Sequence, residues 1–218
     1  MSGLHTEREP QAVADCTFCQ RPPELGFYTS TRPLGDGRTY LVPTIGMMRP
    51  GHYLLATRAH YLSFGQLADR TALRAVHDQL TAVAGHLAQW FGSYVLVEHG
   101  SASVPTVRLG SRACIEHAHI HLLPDPGDTV GSHLQTQLNW QELAGFEDLE
   151  SYAGGSYMYL GRLGLHAAVA DPEVPSQWLR REVAAVLGTD MFDWALAYPE
   201  YEENLRATFA ALSAPAAL

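Results

Sequence analysis

The chain has 218 residues, 46% of them hydrophobic and 17% charged, so it can bury a sizeable core as one domain with an extension. A formal charge of −9 excludes the broad basic surface of a nucleic-acid-binding protein, though not a small local site for a nucleotide. No apolar run reaches the roughly 18 residues of a membrane-spanning helix, and three cysteines, one left over from any pair, fit a reducing cytoplasm better than a disulfide scaffold.

Residues 1–14 are polar, lack the apolar stretch of a secretory signal, and are expected to form a flexible tail. Cys16-Thr17-Phe18-Cys19 follows. A Cys-x-x-Cys can supply two ligands of a tetrahedral metal, or stand as a surface dithiol or redox pair. Residues 39–44 and 52–57 read as strands joined by a Gly/Pro-bearing turn. Leu73, Val76, Leu80, Val83, Leu87 and Trp90 recur at three and four residues, which predicts an amphipathic helix over 66–91 ended by Gly92. Tyr94-Val95-Leu96-Val97 reads as a short buried strand, 99–111 as a Ser/Gly-rich loop and 114–123 as a further strand. In the remaining chain, Tyr157, Tyr159 and Leu160 mark a short strand. One helix is capped by Ser176 and closed by Gly188, and another lies near 201–212. This order predicts an α+β fold: an antiparallel sheet with the long helix across one face, a core over 15–130, and a C-terminal helical extension over 131–218 packed on it.

The strand at 114–123 carries His117-Ala118-His119-Ile120-His121. Side chains alternate between the faces of a strand, so the three imidazoles fall on one face, with Ala118, Ile120 and Leu122 on the other. Three histidines on one face contribute little to a core and need partners when buried. Metal binding, phosphate binding or nucleophilic catalysis would account for them. A solvent-facing stripe on an edge strand is the bland alternative.

His-x-His-x-His followed by two apolar residues resembles the signature of the histidine triad family. Leu41-Val42-Pro43, Arg49-Pro50-Gly51-His52-Tyr53-Leu54-Leu55 and His60 are similar to that family's first strand, Pro-Gly-His turn, second strand and following histidine. The Cys-x-x-Cys is similar to that of its zinc-containing bacterial branches. The likeness covers about residues 14–125. It implies an enzyme that cleaves or transfers a nucleoside monophosphoryl group. His119 would be the nucleophile at the α-phosphorus and His121 a hydrogen-bond donor to a phosphate or leaving-group oxygen. It also implies a structural zinc ion held by Cys16, Cys19, His60 and His117, and a homodimer formed through the 66–91 helix and the 94–97 strand. The favoured activity is nucleotide phosphohydrolysis of a dinucleoside polyphosphate or phosphoramidate. A nucleotidyltransferase or phosphorylase using phosphate or a sugar phosphate is the alternative within enzymes, and a non-catalytic nucleotide-binding protein the alternative outside them.

Hydroxyls and flexible amides around Ser101, Ser103 and Ser111 suit a phosphate cradle, or merely connect two strands. Cys114 stands where many triad hydrolases carry a serine, which leaves the usual leaving-group contact open; Glu116 should point away from the triad. In the run Ser176-Gln177-Trp178-Leu179-Arg180-Arg181, Gln177 and Arg180 or Arg181 are candidates to reach a phosphate, Arg181 being preferred. The alternative is an ordinary amphipathic helix with solvated arginines.

Overall fold

The histidine strand lies inside an eight-stranded, wholly antiparallel sheet, next to the middle of its order. The computed structural model describes residues 13, 16–20, 32–34, 37–44, 46–102, 117–162, 164–170, 172–175, 177–190, 192–193 and 202–213. The strands are β1 (Arg32–Leu34), β2 (Thr39–Pro43), β3 (Tyr53–Thr57), β4 (Tyr94–Gly100), β5 (His119–Pro124), β6 (Gln141–Glu142), β7 (Tyr157–Arg162) and β8 (Leu165–Ala170), ordered β1-β2-β3-β5-β4-β7-β8-β6. The helices are α1 (Thr17–Gln20), α2 (Arg70–Phe91), α3 (Thr129–Gln137), α4 (Trp178–Leu187) and α5 (Glu202–Ser213). The fold is α+β, as the alternation of elements predicts.

The long helix lies across one face of the sheet. Its buried stripe of Leu73, Val76, Leu80 and Leu87 joins Ile120 and Leu122 of β5, Leu55 of β3 and Leu96 of β4 in one core. It starts at Arg70 rather than at 66. Phe64–Leu67 form a separate 3-10 turn, Ala68 takes a left-handed conformation (φ 48°), and the Asp69 side chain caps the new helix by accepting from the Thr71 amide at 2.8 Å.

Register carries the alternation of β5 across the sheet. Leu54 pairs with His121 and Ala56 with His119 on one side, and Val97 pairs with His121 on the other. The histidine face therefore continues into two apolar patches. Tyr40, Val42, Leu54 and Ala56 form one, with Phe18 against it. Val95, Val97, Leu123, Met158 and Leu160 form the other, covered by Val130 and Leu134 of α3 and by Trp178, Leu179 and Val183 of α4. The C-terminal region thus shares a core with the histidine strand.

That region also extends the sheet. β7 pairs with β4 from Leu96↔Gly161 to Gly100↔Tyr157, while β5 takes the opposite edge of β4. The strand through which the resemblance implies a homodimer has both edges occupied within its own chain. The extension is therefore not only helical: it contributes three strands.

Candidate active site and metal cluster

Three separate segments bring Cys16, Cys19, His60 and His117 together, with their ligand atoms all within 4.8 Å of one another. Cys19 Sγ lies 3.1 Å from His60 Nδ1, and His117 Nδ1 lies 3.5 Å from Cys16 Sγ and 3.6 Å from Cys19 Sγ. A tetrahedral ion with bonds of about 2.3 Å to sulfur and about 2.0 Å to nitrogen would hold those atoms about 3.5 Å apart. The donor set and its spacing fit a metal ion. The His117 tautomer fits as well: its Nε2–H donates to the Thr57 carbonyl at 2.7 Å, which turns the Nδ1 lone pair to the thiols. Burial pushes the Cys16 thiol up to about 11 in the metal-free chain, so an ion there would have to displace its proton.

β5 begins at His119, and His117 precedes it. The three imidazoles thus divide: His117 faces the cysteines, whereas His119 and His121 stay together on the strand, ring centroids 5.2 Å apart. His119 is 7% exposed, and its Nδ1–H donates to the His117 carbonyl at 2.7 Å. That bond leaves Nε2 as an unprotonated lone pair. Burial lowers the pKa of His119, partly offset by the same hydrogen bond. A buried, oriented and neutral imidazole is equipped for nucleophilic attack near pH 7. Phe18, between the two cysteines, stacks on both rings, at 5.4 Å from His117 and at 5.7 Å and 15° from His119.

His121 has a partner that sequence reasoning left out of the site. His52, 1% exposed, brings Nε2 to 3.0 Å from His121 Nδ1. Burial is the main cause that lowers both pKa values far below the ordinary histidine range; the Arg180 charge acts in the same direction on each. Both rings are neutral at pH 7. His52 lies two residues before Leu54, so extending the β3 alternation backwards was the signal that could have found it. His99, on β4, shares the parity of Val97 and so the histidine face; burial, then the nearby His119, lowers it to about 4.

The other sequence candidates are more dispersed. Ser101 lies just past the end of β4, 9% exposed, with its amide donating to the Leu62 carbonyl. Ser103, Ser111, Cys114, Glu116 and Ser176 lie outside the described residues. Gln177 occupies the N-cap position of α4 in a left-handed conformation (φ 58°). Arg181 is exposed, its guanidinium 4.0 Å above the Phe192 ring. Its neighbour Arg180 is the buried one, donating to the Gly46 carbonyl at 2.8 Å and to the Phe192 carbonyl.

No protein-family model and no curated protein matches the chain. Among solved structures, an HIT family hydrolase from Clostridium thermocellum is similar at 20% identity and TM-score 0.38, over 52% of this chain and 92% of that one. Yeast Ap4A phosphorylase, solved in complex with AMP, is similar at 16% identity and TM-score 0.36, over 64% of this chain and 58% of that one. At such scores, the chemistry of the site rests on its own residues.

Proposed function

We propose that the chain is a histidine triad enzyme that cleaves or transfers a nucleoside monophosphoryl group, working as a nucleotide phosphohydrolase on a dinucleoside polyphosphate or a nucleoside phosphoramidate. The observation that carries this reading is the hydrogen bond from His119 Nδ1–H to the His117 carbonyl, which frees Nε2 for attack.

In the first step His119 Nε2 forms a bond to the α-phosphorus and the bond to the leaving group breaks. The leaving group carries away the electron pair and draws any proton it needs from solvent. His121 is assigned as a hydrogen-bond donor to a non-bridging or leaving-group oxygen: with His52 Nε2–H donating to His121 Nδ1, the His121 proton sits on Nε2 and stays there. In the second step water attacks the same phosphorus and loses its proton to solvent, the bond to His119 Nε2 breaks, and the neutral His119 is released with the nucleoside monophosphate as product. Ser101, Ser103, Ser111, Gln177 and Arg181 are assigned to substrate binding as contacts to phosphate oxygens.

Zinc is the metal that best suits two thiolates and two imidazoles at this spacing. Cys16, Cys19, His60 and His117 would hold it as a structural ion, away from the reacting atoms. Its contribution is to fix His117, whose carbonyl orients His119. Three cysteines, one left over from any pair, support a cytoplasmic enzyme acting on a soluble nucleotide; among the described residues no helix is long and apolar enough to cross a membrane.

Quenching the enzyme and radiolabelled substrate in alkaline detergent, which preserves a phosphorus–nitrogen bond, tests the reading. A nucleotidyl group should be recovered on His119, and His119→Ala should abolish turnover with the circular dichroism spectrum unchanged. Near wild-type turnover in His119→Ala would refute the mechanism. Phosphate in place of water as the preferred acceptor would make the enzyme a phosphorylase.

A further inference from the structure

Among the described residues the His52 ring has one side-chain hydrogen bond, to His121, and its Nδ1 is buried without a partner. Its position is therefore set by the backbone that carries it. His52 ends the 46–52 turn, one residue before β3, and its amide donates to the Arg49 carbonyl within the same turn. A turn of this length has few internal hydrogen bonds. Its remaining buried carbonyls and amides need partners from elsewhere.

Most of those partners come from the C-terminal extension. Arg180 of α4 donates to the Gly46 carbonyl at 2.8 Å. Asn204 of α5 donates through Nδ2 to the Met47 carbonyl at 2.8 Å. Thr208, one helical turn further on, accepts the Gly51 amide proton at 2.7 Å. Thr208 in turn donates to the Asn204 carbonyl at 2.8 Å, so its hydroxyl is fixed as the acceptor for Gly51. The opposite side of the turn rests on the core. Tyr94 donates to the Gly51 carbonyl at 2.9 Å, and Gly51, at φ 84°, lies so close to Phe91 that a Cβ there would stand 2.5 Å from the ring. The turn is clamped between α2 on one side and α4 and α5 on the other.

We propose that Arg180, Asn204 and Thr208 are positioning residues of the active site, holding the 46–52 turn so that His52 keeps its hydrogen bond to His121. The catalytic consequence rests on the function proposed above; the structural one does not. None of the three touches the reacting atoms. Each acts on a backbone group of the turn, and the turn passes the constraint to His52 and then to His121. The extension is therefore part of the catalytic apparatus, although His119 and His121 lie wholly in the N-terminal core. The Arg180 charge, felt by both His52 and His121, adds to the preference for two neutral rings joined by one proton.

The test uses the full-length, zinc-loaded protein. Thr208→Val keeps the shape and removes the acceptor for the Gly51 amide; Thr208→Ser keeps the acceptor. Asn204→Ala, at a half-buried helical position, is the second probe should Thr208→Val fold poorly. Long-range 1H–15N spectra read the ring nitrogens of His52 and His121 directly. They should shift in Thr208→Val and Asn204→Ala and stay as wild type in Thr208→Ser. At saturating substrate kcat should fall roughly ten-fold or more in the first two, with KM within about two-fold, because misplacing a catalytic group costs rate more than binding. Unchanged ring signals in both variants would overturn the proposal whatever the activity. Shifted signals in a protein that forms no nucleotidyl-histidine would uphold the clamp and refute the proposed reaction instead. Shifted signals with unchanged kcat would overturn the catalytic role of the clamp.

Discussion

Glu98 gives a quantitative test of how this core is built. Its carboxyl is fully buried on the α2 face of β4, accepting from the Phe64 amide at 2.7 Å and from the Tyr157 hydroxyl at 2.5 Å. Burial raises its pKa from 4.5 to about 8, with the two hydrogen bonds opposing the rise. In the unfolded chain the same carboxyl loses its proton near its ordinary value. Between those two values the folded state holds a proton that the unfolded state does not. Stability from this group is therefore fully present below about pH 4.5, declines as the pH rises, and is gone above about pH 8. At about 1.4 kcal/mol per pH unit, the whole decline is roughly 4–5 kcal/mol. Glu98→Gln keeps the shape and an acceptor for the Phe64 amide but cannot titrate. It leaves the Tyr157 hydroxyl one acceptor short, which should cost about 1–3 kcal/mol at pH 5. Urea melts of both proteins at intervals from pH 5 to 9 measure the difference, in which all other titrating groups cancel. The variant should start less stable and overtake the wild type as the pH rises. Parallel stability curves would show that the Glu98 carboxyl is ionised throughout, and the description of its burial would be wrong.

Elemental analysis should find close to one zinc per chain, and Cys16→Ser should lower both zinc content and melting temperature; a metal-free protein of full stability would remove the zinc site. Asp125 is 2% exposed and accepts from the amides of Thr129, Val130 and Gly131 at 2.8–3.1 Å, capping α3 directly after the histidine strand. Asp125→Ala should cost about 2–4 kcal/mol in urea unfolding, and a loss under 0.5 kcal/mol would contradict the cap. Because β5 and β7 occupy both edges of β4, light scattering at micromolar concentration should give a mass near the 23.9 kDa of one chain. A mass twice that would require pairing through another surface.

Much of this was legible in the sequence because it is local. Period-two alternation in His119-Ile120-His121-Leu122 and the three-and-four spacing of Leu73, Val76, Leu80 and Leu87 state which side of each element faces a core, and burial follows those stripes. The α+β order followed from the same patterns. The start of α2 at Arg70 was also written locally, in the Asp69 cap, but the apolar period runs through it and hid the break. What only the tertiary structure decided depends on long-range geometry. The separation of His117 from His119 comes from the Thr57 carbonyl on a different strand, and the free nitrogen of each ring follows from which carbonyl its other nitrogen meets. Adjacent helical residues point about 100° apart, so whether Arg180 or Arg181 turns inward depends on how α4 sits on the sheet. His52 joins the site because β3 and β5 pair in one register, and β4 loses its free edge because β7 returns to it across 57 residues. Alternation and helical period name the face on which a side chain lies; strand register and the docking of the extension choose its partner.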